Sequence, residues 1–330
     1  MTHEIKNLEF TPMIKNGKLQ TILASLIRRS KMPQYHREQV ILPDGDPIFI
    51  DVSQPDDWKA SDPTVILMHG LCGCSASDYM LRMTHLFLKE GLRVVRMNLR
   101  GEGDLKKRHA KQIYHAGSSS DLKAVLEHLK VDAPESKNIV IGFSISGNIL
   151  LLMLGQLGEL AKSLVKYAIA VCPPADLLAG SKMINEPKNH VFQKYFIKSL
   201  LALMIKRHRD FSELGQAPSF SKKVALYDFD DQYTSIQAGF KSADDYYTKC
   251  SAIHVLKDIK VKTDVLLALD DPFVCNEAIM KLDLPENIKI HATQHGGHMG
   301  YLEKSKGIKF ISRWMDQKLL NWVSYSISQP

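Results

Sequence analysis

Residues 138–148 read Asn-Ile-Val-Ile-Gly-Phe-Ser-Ile-Ser-Gly-Asn and run on into the apolar stretch 149–154. The pattern predicts a buried strand that turns sharply into a helix, with Ser144 at the tip. A serine in that place is held in a strained conformation with its hydroxyl above the sheet and a helix N-terminus behind it. The chemistry on offer is nucleophilic attack on an acyl carbon. Gly142 stands two residues before the serine, but Ser146 stands two after it, where a G-x-S-x-G turn has glycine. Taken alone, the run also fits an ordinary strand–helix turn with an incidental serine.

A serine hydroxyl is a poor nucleophile near neutral pH and needs a histidine base oriented by a carboxylate. On such an elbow the acid, then the histidine, follow on loops after later strands. The apolar run 265–268 ends in Leu269-Asp270-Asp271-Pro272, and 288–292 leads to Gln294-His295-Gly296-Gly297-His298. Order and placement both match. Asp271, just before proline, is the expected acid, with Asp270 bracing the turn. His298, after two glycines, is the expected base, with His295 packing locally. An oxyanion needs two backbone donors. The Ile145 amide, next after the serine, is one candidate. The Leu71 amide in His69-Gly70-Leu71-Cys72-Gly73 is the other, with His69 bracing that loop. The Ser146 hydroxyl needs a partner, such as a carbonyl of its own helix. Ser146→Gly is expected to keep or raise the rate.

These residues need a scaffold to bring them together. Runs 39–42 and 48–52 flank Pro43-Asp44-Gly45-Asp46, which predicts an antiparallel hairpin. Runs 65–68, 94–97, 139–141, 168–171, 265–268 and 288–292 are apolar nearly throughout, as in parallel strands covered on both faces. Helical patterns fall at 77–89, 120–130, 147–160 and 304–323. Strand–helix alternation predicts a doubly wound α/β sheet. Between 173 and 260 no strand is predicted. We read about 174–260 as a helical cap inserted over the carboxyl ends of the strands, within a single domain 1–330. A linker at Pro173-Pro174 to a second domain is the alternative.

Composition narrows the classes. The 330 residues are 45% hydrophobic and 24% charged, with a net charge of +7 spread along the chain. No long basic run, RNP motif or zinc finger localises that charge, so no nucleic-acid partner is expected. Five cysteines at 72, 74, 172, 250 and 275 show no framework spacing, which suits reduced thiols in a cytoplasmic protein. Cys72 and Cys74 lack a second ligand pair, and His295 with His298 lacks an H-E-x-x-H pattern, so no metal is expected. The apolar runs 149–154 and 200–205 fall short of the ~20 residues of a membrane span. Residues 1–10 carry charges of both signs and do not read as a secretory signal. Stretches 19–31 and 198–209 are basic and amphipathic. They suit helices packed on the core better than a peripheral membrane contact, and 198–209 could line an acyl pocket.

Nearly the whole chain resembles the α/β-hydrolase superfamily, and within it the YheT-like branch of bacterial esterase-like proteins and eukaryotic α/β-hydrolase-domain lipases. The resemblance is carried by Asn16-Gly-Lys-Leu-Gln20-Thr21, Leu42-Pro-Asp-Gly-Asp46, His69-Gly-Leu and Asn98-Leu-Arg-Gly101. It continues in Tyr114-His-Ala-Gly117 with Asp121, Gly142-Phe-Ser144 with Gly147-Asn148, Asp245-Tyr-Tyr247, Asp270-Asp-Pro-Phe273 and Gly296-Gly-His298. It implies an α/β-hydrolase fold and a serine hydrolase acting on carboxylic esters, with Ser144, Asp271 and His298 as the triad. It implies short-chain or acyl-lipid esters as substrates and no cofactor. Ser146 departs from the family's glycine. A catalytically silent binding or scaffold protein, or an acyltransferase, is the alternative function.

Overall fold

The computed structural model describes residues 6–27, 30–103, 110–221, 223–304 and 311–329. The strands are β1 (Lys6–Asn7), β2 (His36–Ile41), β3 (Pro47–Ser53), β4 (Thr64–Met68), β5 (Arg93–Met97), β6 (Asn138–Phe143), β7 (Tyr167–Val171), β8 (Lys262–Ala268), β9 (Ile288–Thr293), β10 (Leu302–Lys304) and β11 (Ile311–Arg313). Nine of them form one sheet in the order β1-β9-β8-β7-β6-β4-β5-β3-β2. Every pairing from β1 to β5 is parallel. The β2–β3 hairpin joins the sheet antiparallel through β3 and β5.

Strands β4 to β7 are buried at every position, as unbroken apolar runs require. Alternate side chains feed two cores. Ile66, Met68, Val95 and Val140 face one layer; Val65, Leu67, Val94 and Ile141 face the other. The helices are α1 (Gly17–Leu26), α2 (Asp78–Lys89), α3 (Ser119–Asp132), α4 (Ile145–Leu157), α5 (Leu177–Ile184), α6 (His190–Asp210), α7 (Leu226–Phe229), α8 (Ser235–Gln237), α9 (Ala243–Cys250), α10 (Glu277–Met280) and α11 (Trp314–Ser328). Leu122 and Val125 of α3 pack with α4 in the first core. Met80 and Phe87 of α2 pack with Met315 and Leu319 of α11 in the second.

Helices α5 to α9 lie between β7 and β8; among the described residues between those two strands none is a strand. Helices α7 and α8 are joined by a π-helical turn, Asp230–Thr234. No helix among the described residues is long and apolar enough to cross a membrane.

Two expected helices need correction. The expected helix 304–323 begins only at Trp314. Leu302–Lys304 and Ile311–Arg313 instead pair antiparallel, and 305–310 lie outside the described residues. The extended backbone lets the Arg313 guanidinium donate to the carbonyls of Ala24 and Ile27 (2.9–3.2 Å), which closes the open end of α1. The expected helix 147–160 starts two residues earlier, at Ile145, because Ser144 is its N-cap. It ends at Leu157, and a 3₁₀ turn over Gly158–Ser163 follows.

Candidate active site

Strand β6 ends at Phe143, α4 begins at Ile145, and Ser144 between them has φ 55° and ψ −121°. That left-handed backbone is costly for serine and persists only where its surroundings impose it. The Ser144 N–H donates to Val171 O at 2.8 Å. A Cβ on Gly142 would stand 2.4 Å from Ser146 O, so only glycine lets the strand approach the helix there.

The other two side chains come to this tip from separate loops. His298 Nε2 is 2.8 Å from Ser144 Oγ, and His298 Nδ1 is 2.7 Å from Asp271 Oδ2. Asp271 follows β8, and its Oδ1 accepts from the amides of Phe273 and Val274, both at 3.1 Å. A carboxylate held on one oxygen by amides presents the other to the imidazole, fixing its tautomer and orientation. Phe273 packs against the His298 ring at 4.2 Å between centroids. An array of this kind can pass the Oγ proton to Nε2. Asp270 points elsewhere: it accepts from Gly297 N–H at 2.8 Å and lies 3.4 Å from His295 Nδ1.

The 69–73 loop lies over the serine. A Cβ on Gly70 would come 3.2 Å from Ser144 Cβ and 3.8 Å from its Oγ. Tyrosine hydroxyls hold the flanking amides, Tyr79 taking Gly70 N–H at 2.8 Å and Tyr114 taking Cys72 N–H at 3.0 Å. Between them the Leu71 N–H donates to no acceptor among the described residues. His69 accepts Leu99 N–H on Nε2 at 3.0 Å and donates from Nδ1 to Gly70 O at 2.8 Å. Burial pushes its pKa down to about 4, so it stays neutral. Ser146 is fully buried, and its hydroxyl donates to His69 O at 2.5 Å. The partner is a carbonyl of the loop over the serine, not of its own helix as expected.

A family model described as the alpha/beta hydrolase fold matches residues 63–305. The chain belongs to that family. The candidate esterase YheT of Escherichia coli (strain K12) is 29% identical over 325 residues, spanning 96% of this chain and 93% of that protein. The phospholipase ABHD3 of Bos taurus is 30% identical over 292 residues, spanning 86% of this chain and 70% of that protein. Among solved structures, the Pyrococcus furiosus esterase Pf2001 superposes with a TM-score of 0.57 at 16% identity, covering 98% of both chains.

In this α/β hydrolase the serine opens into a cavity of about 150 Å³, lined also by helices between β7 and β8. Ile145, Leu177, Leu200, Met204 and Phe273 give it an apolar lining. Sequence reasoning left two features without a role. Thr21 Oγ1 accepts His298 N–H at 2.8 Å, so α1 positions the imidazole from behind. Gln20, fully buried, binds Ile14 O, Leu302 O and Leu302 N–H at 2.8–3.0 Å. A buried glutamine beside a threonine in an amphipathic helix was the available signal. Cys172, Asp271 and His298 are the one trio of possible metal ligands drawn together among the described residues. Burial pushes the Cys172 thiol pKa far up.

Proposed function

We propose that the protein is a serine hydrolase that cleaves carboxylic esters carrying an apolar acyl chain. The observation that carries this reading is the hydrogen-bonded series Asp271–His298–Ser144, at 2.7 and 2.8 Å, on a strained elbow at the floor of an apolar cavity. Ser144 Oγ attacks the ester carbonyl as His298 Nε2 takes its proton. The tetrahedral oxyanion is received by the Leu71 and Ile145 amides. Collapse expels the alcohol, which takes the proton from His298 and leaves an acyl-enzyme. Water, deprotonated by His298, then attacks the acyl carbon and frees the acid. Asp271 stabilises the imidazolium across its hydrogen bond to Nδ1. Residues 1–330 act as one catalytic unit with 174–260 as its cap. The names esterase and phospholipase carried by its relatives agree with the apolar lining. All five cysteines are free thiols, which suits a reducing, cytoplasmic setting.

A fluorophosphonate probe and p-nitrophenyl esters graded by chain length test this reading. Wild-type protein is expected to be labelled and active, and Ser144→Ala neither. Asp271→Asn is expected to lower kcat by roughly 10³–10⁴-fold, and Asp270→Asn by about tenfold or less. A folded wild-type protein that reacts with neither probe nor esters, or equal losses for the two aspartates, overturns the assignment.

A further inference from the structure

We infer that Arg207 forms an anion subsite in the cap wall of the active-site cavity, taking a carboxylate or phosphate carried by the ester substrate. The inference rests on the reading that this cavity receives the ester. Arg207 lies on α6 and is only 2% exposed, yet it lines the same cavity as Ser144. Its Nε donates to Lys111 O at 2.6 Å, and its Nη1 to Tyr233 Oη at 2.8 Å and Gln237 Oε1 at 2.9 Å. All three acceptors are neutral. Its Nη2, with two N–H groups, donates to no acceptor among the described residues.

The other buried arginines are compensated differently. Arg93 pairs with Asp132 at 2.7 Å. Arg100 pairs with Asp121 at 2.6 Å and Asp46 at 3.1 Å. Arg96 lies in the field of Asp51 and 5.2 Å over the Tyr35 ring, whereas Arg207 has a ring contact, 6.0 Å from the Tyr233 centroid, without such a carboxylate. Arg207 has no carboxylate within ion-pairing distance among the described residues. The acid that shares its cavity, Asp230, is engaged instead by the Tyr247 hydroxyl at 2.7 Å. Burying a guanidinium without an anion is costly, and a permanently charged group cannot relieve the cost by losing its proton. The fixed fork, held on Nε and Nη1 with Nη2 unspent, suits an anionic oxygen group arriving with the substrate. The ligand class is therefore an ester with an anionic oxygen group at one end of an apolar chain.

Two arms separate the sources of that anion, and the first needs no catalysis. Calorimetry compares hexyl phosphate with hexanol on the intact protein at neutral pH. We expect hexyl phosphate to bind at least ~10-fold more tightly, about 1.4 kcal/mol, and Arg207→Gln to erase the difference. The second arm compares kcat/KM for mono-p-nitrophenyl suberate and p-nitrophenyl octanoate, esters of equal chain length. If the anion sits on the acyl chain, Arg207→Gln lowers the ratio of charged to neutral ester about tenfold or more. Gln237→Glu keeps the arginine and its fork but supplies an internal carboxylate, and should abolish both preferences if Arg207→Gln does not fold. The subsite is overturned if wild-type protein binds hexyl phosphate no better than hexanol and does not prefer suberate. It is equally overturned if the variants lower charged and neutral ligands alike, since a purely structural brace would do that. If neither ester is hydrolysed the proposed activity fails, while the calorimetry still decides the subsite.

Discussion

Ser146 shows how one hydroxyl changes the meaning of a motif. Glycine at its position would merely leave room, whereas this serine ties the first turn of α4 to His69 O. The same residue, His69, holds Leu99 N–H and Gly70 O through its ring. Nucleophile helix and overlying loop are thereby fastened to each other within two residues of Ser144 and of Leu71. Removing the hydroxyl leaves a buried carbonyl without that donor, a loss of about 1–3 kcal/mol. The geometry therefore reverses the expectation from sequence. Ser146→Gly should melt earlier and hydrolyse esters more slowly, with kcat falling more than KM changes. Steady-state kinetics beside thermal melts check this; a variant as fast as the wild type would show that the loop keeps its place unaided.

At the scale of elements, the histidine loop is clamped by α1. Gly297 has φ 58°, and a Cβ there would stand 2.1 Å from Gly17 O. A Cβ on Gly17 would stand 2.0 Å from Asp270 O. Backbone meets backbone at both contacts, so neither can give way as a flexible side chain would. Gly297→Ala should displace His298 and cut activity at least ~10-fold, with a backbone cost of roughly 1–2 kcal/mol; Thr21→Val should do less. Activity and melting temperature of the two variants, measured together, decide it.

The same elements show what could be read from residues alone. Strands such as β4 and β6 are legible because burial on both faces leaves an unbroken apolar run. The elbow was legible because strand, small residues and apolar helix follow without a gap. Strand β1 has only two residues and is defined by its parallel partner β9, a contact that no local pattern encodes. The extended segment at Ile311–Arg313 was missed for a like reason, since its pairing and the capping of α1 decide it. Thr21 lies far from His298 along the chain, and only the fold brings them together.

Over the whole molecule, buried ionisable groups set a pH window. Burial, reinforced for His115 by the charge of Arg100, pushes the pKa of both His69 and His115 down to about 4. The unfolded chain, whose histidines titrate near ~6.5, then binds more protons between these values. Stability present above about pH 6.5 is lost as pH falls toward 4, on the order of 2 kcal/mol for each histidine by pH 5. Asp230, raised to about 6 by burial, acts the other way, gaining stability as pH falls through about 6, and Asp121, also raised by burial, acts in the same direction; the two histidines, shifted further, outweigh them between pH 7 and pH 5. Melting temperature should drop between pH 7 and pH 5, and less steeply in His115→Gln. Melts that are level across that interval would mean the two rings are not held neutral.

The span of one contact bears on how the protein is made. Gln20 and Leu302, which hydrogen-bond in the fold, are 282 positions apart. The segment that steadies His298 is therefore made long before the part of the chain it contacts. At about 5–20 residues per second, roughly 15–55 s pass before its partner is synthesised. Ser144 emerges near the middle of that interval, before His298, its hydrogen-bond partner, is made. A nascent chain at that stage has the elbow but not the contact that completes the site. Chains released early, before residue 298, would lack that partner altogether and leave α1 with its buried glutamine unanswered.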